Sequence, residues 1–481
     1  MNGIEANRPD GTGPVANVQL RRVFLDTIST AERRALTARS PGTGAEVRVP
    51  ARAVVERVRA EKDAALRELG ASLGGAWSEG IPTGAPPATP APLRVPPEVL
   101  CRAAERLAPG LREALRLMIR NIETFHRAQV PQPEEWVDVA PGIRVGRVWR
   151  PVDRAGIYVP GGEAAYPSSL VMGVIPARLA GVRQIAVASP AGRDGRISPV
   201  LLGAAGLLGI EEFYAIGGAQ AIAALAYGTE TVVPVDLIVG PGNAWVTAAK
   251  LEVTGDVGID MPAGPSEVLV LADETANPAH VAADLLSQAE HGPDSAAVLV
   301  TIDTELAERV QLEIDRQLPK QRRIGLLAAS LRSSGLIVLA AGIDEAIAFV
   351  NEYAPEHLSL ACGDALALLP RIHHAGSVFL GPWAPESAGD YATGSNHVLP
   401  TGRLARVRGP LGVTDFGHWM QAQVLDPAGL ASIASAVGAV AEAEGLPAHR
   451  RAVEIRFETQ SPDGGAGAGE SKGQRAGSAR P

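Results

Sequence analysis

The sequence is poor in cysteine: its 481 residues contain only Cys101 and Cys362, which lie far apart and in no metal-binding spacing. A disulfide framework is therefore not expected, and a reducing cytoplasm is the natural compartment. Basic residues are also in deficit, because the net charge is -9. Nucleic acids and anionic membranes both select a basic face, so neither is an expected partner.

Long apolar runs are missing as well. The runs at Leu170–Val174 and Leu201–Ile210 are short and interrupted by small residues, well below the ~20 residues of a membrane-spanning helix. The N-terminus lacks the charged start and apolar block of a secretory signal. The remaining composition, 46% hydrophobic and 20% charged, is that of a soluble globular protein. A chain of this length is expected to form two or more domains.

Two segments are too poor in large apolar residues to order themselves. Residues Gly80–Pro97 are dominated by Pro, Ala, Gly and Thr, and Gln460–Pro481 by Gly, Ser and charged residues. Both compositions predict a flexible linker or tail without catalytic residues.

Between Arg154 and Ala384, short apolar runs alternate with longer helix-like segments. This pattern predicts parallel strands covered by helices on both faces, in a doubly wound α/β architecture. In such folds ligands bind beyond the carboxyl ends of the strands. The segments Ala51–Phe125 and Leu430–Ala443 have mostly helical patterns.

Three glycine-rich turns each follow an apolar run and precede a helix: Tyr158–Gly162 (YVPGG), Gly217–Gln220 (GGAQ) and Gly240–Asn243 (GPGN). Glycine permits positive φ and close backbone approach, and a helix N-terminus favours a phosphate. None has the spacing of the common dinucleotide fingerprint, and one such turn alone is most often a tight turn. Three in succession indicate a ligand cleft.

The segment SQAEHGPDS, at 287–295, places Gln288 and His291 three residues apart at the end of a predicted helix. Both side chains then lie on one face and can supply half of a metal site. The alternative is a polar last turn with His291 near the negative helix end. Glutamine is an infrequent zinc ligand, so the spacing alone does not decide between them.

Adjacent Glu356 and His357, in NEYAPEHLSL, can divide two proton transfers if their surroundings separate their pKa values. An exposed Glu–His dipeptide usually has no such role. A long polar loop, Ser387–Gly402, contains Asp390, Asn396 and His397 and is of a kind that is usually functional. On the residues alone, Glu444 and His449 are ordinary surface residues.

Taken together, these segments resemble the histidinol dehydrogenase family, from about Ala51 to about Phe457. The resemblance is carried, in family order, by GIYVPGG, GGAQAIAALAYGT, GPGNAWVTAAK, DMPAGPSEVLVLAD, SQAEHGPDS, NEYAPEHL and GDYATGSNHVLPTG. It implies a zinc-dependent, four-electron oxidation of L-histidinol through L-histidinal to L-histidine. Two NAD are reduced in this reaction, the last step of histidine biosynthesis.

The resemblance also implies roles for individual residues. Glu356 and His357 are the implied acid–base pair, His357 as the base at both oxidations and Glu356 as the activator of the hydrating water. One zinc per subunit is expected on Gln288, His291, Asp390 and His449. The substrate contacts are expected from Ser266, Gln288, His291, His357, Asp390, Glu444 and His449. The NAD contacts are expected from Tyr158, Gln220 and Asn243.

The resemblance further implies a homodimer with shared active sites. His449 lies in the C-terminal region, which in this family reaches into the site of the partner subunit. The implied fold is two doubly wound, Rossmann-like domains with parallel sheets, plus smaller helical N- and C-terminal extensions. We expect an N-terminal extension with dimer contacts at 1–50, a first α/β domain from 51–157 with 268–385, and an NAD-binding second α/β domain at 158–267. The remaining boundaries are an active-site loop and dimerisation segment at 386–459 and a disordered tail at 460–481.

Three other functions are compatible with parts of the pattern. A relative that oxidises another polar alcohol, such as a sulfonated diol, need not retain the joint set Gln288, His291, Asp390, Glu444 and His449. A non-catalytic protein with this fold is expected to have lost Glu356, His357 or a ligand, and none is missing. A zinc hydrolase leaves the glycine-rich turns without a role. The segment Arg403–Trp419 is less typical of the family, but no assigned ligand lies in it.

Overall fold

The computed structural model describes residues 18–39, 44–73, 92–161, 165–192 and 194–458. They form two compact units: residues up to Pro131 together with Pro151–His418, and Gln132–Arg150 together with the chain from Trp419 onward. The strands, in chain order, are β1 (Arg21–Phe24), β2 (Arg94–Val95), β3 (Glu134–Ala140), β4 (Ile143–Pro151), β5 (Arg154–Tyr158), β6 (Gln184–Ala188), β7 (Glu212–Tyr214), β8 (Leu237–Val239), β9 (Gly258–Ile259), β10 (Glu267–Ala272), β11 (Ala296–Thr301), β12 (Gly335–Leu339), β13 (His357–Ala361), β14 (Ser377–Leu380) and β15 (Gly417–Leu425).

The helices account for most of the remaining described chain. They are α1 (Thr30–Thr37), α2 (Ala45–Glu61), α3 (Asp63–Leu73), α4 (Pro97–Arg106), α5 (Pro109–Arg127), α6 (Pro167–Ala180), α7 (Pro199–Leu207), α8 (Gly218–Tyr227), α9 (Ala244–Val253), α10 (Pro278–Ala289), α11 (Thr304–Gln317), α12 (Ile324–Ser334), α13 (Ile343–Tyr353), α14 (Ala365–Leu368), α15 (Glu386–Tyr391), α16 (Pro427–Ala443) and α17 (Pro447–Glu458). No helix in these described ranges is both long and apolar enough to span a membrane.

The first sheet of the larger unit is parallel and has the strand order β1-β12-β11-β10-β13-β14. Alternate residues of β10 enter different cores, with Val268 and Val270 on one face and Leu269 and Leu271 on the other. A strand that is buried on both faces must be apolar at every position, which explains its continuous apolar run. The predicted helix-covered parallel sheet is confirmed.

The second sheet has the order β2-β7-β6-β5-β8-β9 and is parallel except for the β2–β7 pair. Helix α2 packs on α8 and α9, and its Ala51 and Val55 join the core around this sheet. The predicted boundaries place residues 51–157 in the first α/β domain, whereas the contacts of α2 are with helices of the second sheet. The reason is that α2 presents its apolar face to the helices of the second sheet. The domain boundaries as such stay a prediction.

The prediction that Gly80–Pro97 is a flexible linker is wrong for the C-terminal end of this segment. Residues 80–91 lie outside the described residues, but Arg94–Val95 pair with β7 and Pro97 begins α4. Leu93 and Val95 are buried. Composition alone concealed these two apolar residues, which close one edge of the second sheet. The predicted tail, 460–481, lies outside the described residues.

The smaller unit contains a sheet with the order β15-β4-β3 and the helix pair α16 and α17. Strands β3 and β4 form an antiparallel hairpin, in which Trp136 lies opposite Gly146. The sequence analysis did not anticipate this sheet. The helical C-terminal extension is as predicted.

Both cysteines have free thiols. Cys101 is exposed on α4, whereas Cys362 is buried after β13. Burial raises the pKa of the Cys362 thiol to about 12.

Candidate active site and metal centre

The Glu356–His357 pair follows a sharp end of α13. Ala354 adopts a left-handed conformation, with φ of +49°, and its N–H donates to the carbonyl of Val350. Pro355 has no N–H to continue the helix, so the chain turns directly into β13. A non-glycine residue in this conformation is strained, and such strain persists where the surrounding packing enforces it. This turn places two ionisable side chains in the interior, where Glu356 is 5% and His357 is 3% exposed.

The main chain of Glu267 holds both members of the pair. Its N–H donates to Glu356 Oε2 at 2.8 Å, and its carbonyl accepts from His357 Nδ1 at 3.0 Å. A carbonyl can only accept, so Nδ1 carries the proton in the neutral ring. Nε2 is buried without a hydrogen-bond partner and lies 3.7 Å from Asp390 Oδ1. The ring is therefore oriented to take a proton at Nε2.

Residues just after α10 and on α15 form a cluster of possible metal ligands beside His357. Ligand atoms of His291, Glu386 and Asp390 lie within 4.8 Å of one another. His291 follows α10, and its Nε2 is 3.9 Å from Asp390 Oδ2. Mixed nitrogen and carboxylate ligands of this kind suit zinc.

Gln288, one turn before His291, supports a ligand role more directly. Its side chain is fully buried, and neither its Oε1 nor its Nε2 has a hydrogen-bond partner. A buried amide without partners costs about 1–3 kcal/mol for each unsatisfied group. Such a cost is expected where a group serves a ligand, and a cation is the natural partner for Oε1. The donor set therefore fits the predicted zinc.

The sequence analysis missed Glu386. It lies four residues before Asp390 on α15, so both carboxylates share one helix face. Glu386 is buried, and its Oε1 is 3.7 Å from His357 Nδ1. The i,i+4 spacing of acids in WAPESAGDY was the available signal. The sequence analysis predicts a polar loop at 387–402, and the structure shows that its first residues belong to this helix.

Burial and neighbouring charges shift the pKa values in this cluster. Burial raises the pKa of Glu356 and of Glu386 to about 8, against the opposing attraction of His357. Burial disfavours the charged form of His357, but the carboxylates of Glu386, Glu356 and Asp390 raise its pKa to about 10. Burial lowers the pKa of His291, which favours the neutral form that binds metal.

The polar loop after α15 joins this cluster to the second sheet. His397 Nδ1 donates to the carbonyl of Asp390 at 3.1 Å, and its Nε2 lies 3.2 Å from Ser169 Oγ on α6. Asn396 donates to the carbonyl of Met172 at 2.9 Å. These bonds fix the position of the Asp390 main chain.

The predicted cofactor residues lie at the carboxyl ends of the second sheet. Tyr158 ends β5, and its hydroxyl accepts from the N–H of Gly218, next to buried Gln220. Asn243 caps α9 through bonds from the N–H groups of Trp245 and Val246. Gly240 has φ of +118°, and a Cβ there would lie 2.1 Å from the Tyr158 carbonyl. Gly162 lies outside the described residues.

The predicted site residues lie at the carboxyl ends of strands in the second sheet and at the amino ends of strands in the first. The glycine-rich turns follow the carboxyl ends of β5, β7 and β8, as expected for a doubly wound sheet. Glu356 and His357, however, stand at the amino end of β13, and Ser266 precedes β10. The predicted site residues of the first sheet thus lie at its amino edge, not at the carboxyl ends of its strands. The candidate metal ligands at the end of α10 and on α15 lie beside His357.

The remaining predicted site residues are less closely joined. Ser266 is half-buried, and its carbonyl accepts from the N–H of Ala296 at 3.0 Å. Glu444 and His449 are exposed residues of the smaller unit, at the end of α16 and within α17. The other predicted site residues belong to the larger unit.

The chain is similar to known proteins over nearly its full length. The histidinol dehydrogenase family model matches residues 38–457. Histidinol dehydrogenase of Haloarcula marismortui is 48% identical over 428 residues, covering 89% of this chain and 97% of that protein. Histidinol dehydrogenase of Vibrio parahaemolyticus is 44% identical over 443 residues, covering 91% and 99%.

A solved structure supports the same similarity. The crystal structure of histidinol dehydrogenase from Elizabethkingia anophelis superposes with a TM-score of 0.84 at 37% sequence identity. The match covers 92% of this chain and 98% of that one.

Proposed function

The chain belongs to the histidinol dehydrogenase family, and on this premise we propose that it oxidises L-histidinol through L-histidinal to L-histidine with two NAD. This is the final reaction of histidine biosynthesis. One observation carries the proposal: His357 is buried, its Nδ1 is fixed by a main-chain carbonyl, and its unpaired Nε2 lies beside the candidate ligands.

His357 acts as the base in both oxidations. Its Nε2 takes the hydroxyl proton of the alcohol, and later that of the hydrated aldehyde, as a hydride leaves the same carbon. The three carboxylates around the ring stabilise the imidazolium that each proton transfer creates. The positive charge of a bound zinc ion would oppose this effect and favour the neutral ring that accepts the proton. Because Nδ1 is already bonded to Glu267, only Nε2 is available for this exchange.

Glu356 activates the water that adds to the aldehyde. Its pKa, raised to about 8 by burial, makes its ionised form a stronger base than an ordinary carboxylate. The N–H of Glu267 holds Oε2 in place, which leaves Oε1 for the water. The pair thus divides proton transfer between an imidazole and a carboxylate.

We propose that one zinc is held by Gln288, His291, Asp390 and His449, with Glu386 adjacent. When bound, the ion supplies positive charge that fixes the amino alcohol and imidazole of the substrate. Ser266, Gln288, His291, His357, Asp390, Glu444 and His449 form the substrate contacts. The unpaired amide of Gln288 and the clustered acids support this assignment.

Tyr158, Gln220 and Asn243 are proposed to contact NAD, which supplies the hydride acceptor. The support is their position at the carboxyl ends of strands of the second sheet, and the hydrogen bond that joins the Tyr158 hydroxyl to the N-terminus of α8. The positive φ of Gly240 allows its close approach to Tyr158.

We also propose a homodimer in which His449 completes the metal site of the partner subunit. Its support is the exposure of Glu444 and His449 on a separate unit, where both side chains are accessible. We further propose a cytoplasmic location, in keeping with two free thiols.

The deciding experiment measures NADH production by purified protein with L-histidinol, before and after chelation and after zinc restoration. We expect two NADH for each L-histidine formed, loss of activity on chelation and recovery with zinc. Absence of NADH with folded, zinc-loaded protein overturns the substrate and directs the search to other polar alcohols, such as sulfonated diols.

A further inference from the structure

The buried side chain of Glu267 forms an ion pair with the partly buried Arg39 that the reaction outlined above does not use. Arg39 Nε donates to Glu267 Oε1 at 3.0 Å, and Arg39 Nη2 donates to Oε2 at 2.6 Å. The N–H of Gly402 donates to the same Oε1 at 3.0 Å. A bidentate arginine pair of this kind fixes orientation as well as charge.

The same residue holds the catalytic pair through its main chain, by the bonds from its N–H to Glu356 and from His357 to its carbonyl. One residue therefore joins Glu356 and His357 to Arg39 and to the loop that follows α15. A displacement of the Glu267 main chain would therefore move the hydrogen-bond partner of both catalytic groups.

Arg39 is itself fixed by stacking. Its guanidinium carbon lies 3.3 Å from the centre of the Tyr353 ring, and Tyr353 is the last residue of α13. Stacking and the two hydrogen bonds leave the guanidinium one orientation. Tyr353 lies just before Ala354, where the chain turns toward Glu356.

We propose that Arg39 and Glu267 are positioning residues: Glu267 holds Glu356 and His357 in their reactive orientation through its main chain, and Arg39 fixes Glu267 through its side chain. The segment after α1 then has a role inside the active site of its own subunit, beyond the dimer contacts expected for residues 1–50. The inference rests on the proposed function for its kinetic consequences, but its structural claim is independent of substrate.

Removal of Arg39 leaves the Glu267 carboxylate buried without a countercharge, and Glu267 is near enough to Glu356 to raise its pKa. Arg39→Gln is expected to lower kcat by about 10- to 100-fold, since small displacements of catalytic groups have effects of this size. The KM for NAD and the bound zinc are expected to remain unchanged. Arg39→Lys keeps the charge but loses the paired bonds, and is expected to recover part of the activity.

Arg33 provides the matched control. It lies on α1, and its guanidinium pairs with Glu352 at 2.7 Å and with Glu345, both on α13, rather than with Glu267 or the catalytic pair. Arg33→Gln removes a similar link between α1 and α13. It is expected to retain near-normal kcat, whereas equal loss of kcat in both variants, at equal folded fraction, overturns the proposal.

A second arm uses the cavity of about 440 Å³ that Arg39, Glu267, Tyr353 and Gly402 help to line. Arg39→Ala enlarges it, so that added guanidinium can pair with Glu267. Guanidinium, far below unfolding concentrations, is expected to restore turnover, and sodium chloride at equal ionic strength is not. Restoration by both salts, or by neither, contradicts the paired-charge role.

A third arm needs no turnover. Amide hydrogen exchange at Glu267 and Gly402 is expected to accelerate in Arg39→Gln and to stay slow in Arg33→Gln, because only the first variant releases the Glu267 side chain. If the wild type gives no NADH with L-histidinol, the proposed function fails but this measurement still decides the positioning role. Unchanged exchange in Arg39→Gln overturns it.

Discussion

At the scale of single residues, the proton-transfer pair is defined by how little freedom each side chain has. His357 is bonded at Nδ1, and Glu356 is bonded at Oε2, both to the main chain of Glu267. Each therefore has one reactive atom directed away from that strand. Substitutions that keep shape but remove proton affinity should separate their roles.

His357→Asn is expected to suppress both oxidations by at least about 100-fold, since it removes the general base from each. Glu356→Gln should slow conversion of L-histidinal to L-histidine more than oxidation of the alcohol. Stopped reactions analysed for aldehyde and acid measure the two steps separately. Near-normal turnover of His357→Asn with zinc retained would exclude this histidine as the base.

Replacement of Gln288 should stabilise the metal-free protein and weaken its binding of zinc. Gln288→Met replaces a buried amide without partners by an apolar side chain of similar size, so the metal-free protein is expected to gain about 1–2 kcal/mol. The same change removes a ligand and should weaken zinc affinity. Thermal unfolding with and without zinc measures both effects. A metal-free variant that is less stable than the wild type would show that the amide has a structural role.

At the scale of elements, the sequence predicted what depends on local periodicity and missed what depends on the return path of helices. The apolar runs of β10 to β13 identified the first sheet because strands buried on both faces admit few polar residues. Glu386 and the amino-end location of His357 were missed, since they depend on where α15 and β13 meet in space. The β3–β4 hairpin was missed because β3 is largely exposed and has no buried apolar run.

A buried ion pair shapes the third glycine-rich turn. Lys250 on α9 bonds Asp260 and the carbonyls of Gly240 and Met261, while Asp260 accepts from the N–H of Gly240 at 2.8 Å. Lys250→Met is expected to destabilise the protein by about 3 kcal/mol and to raise the KM for NAD more than that for substrate.

The exposed pair between Arg52 and Glu252, also on α9, supplies the control for this prediction. Arg52→Gln should leave the free energy of unfolding nearly unchanged, since the pair is exposed, and leave the KM for NAD unchanged. A selective rise in KM for substrate in Lys250→Met would contradict the assignment of this turn to the cofactor.

An ion pair at the amino ends of β5 and β7, between Arg154 and Glu212, should contribute to the stability of the fold in acid. Hydrogen bonding from Arg154 lowers the pKa of Glu212 below its usual 4.5, despite opposing burial. A lowered pKa stabilises the fold above pH 4.5, and this contribution is lost as the pH falls through the folded-state value. Glu212→Gln is expected to destabilise by about 2 kcal/mol at pH 7, less than for a fully buried pair because Glu212 is partly exposed.

Denaturant unfolding at several pH values measures this linkage. The free energy of unfolding of Glu212→Gln should fall less between about pH 5 and pH 3 than that of the wild type. Parallel curves for the two proteins would show that this ion pair does not contribute to acid unfolding.

At the scale of the whole molecule, Glu444 and His449 were assigned to the site by resemblance alone, since neither residue type nor spacing singles them out. They belong to the smaller unit, whereas the catalytic pair belongs to the larger one. Under the proposed function, their role depends on assembly of the dimer.

Mixed dimers test that assembly. His449→Ala should lose zinc affinity, and His357→Asn should retain zinc but lose turnover. Co-refolding the two inactive variants is expected to restore about a quarter of wild-type activity per subunit, because half of the dimers are mixed and each contains one intact shared site. No recovery in verified mixed dimers would place His449 in the site of its own subunit.

Because the two thiols differ in exposure, only one of them is accessible to thiol-reactive reagents. Cys362 is buried, and its raised pKa keeps it in the unreactive thiol form, whereas Cys101 is exposed on α4. Since the chain contains no other cysteine, a maleimide dye should attach at one position without any mutation. An optical reporter could then follow unfolding or subunit exchange while NADH absorbance reports turnover.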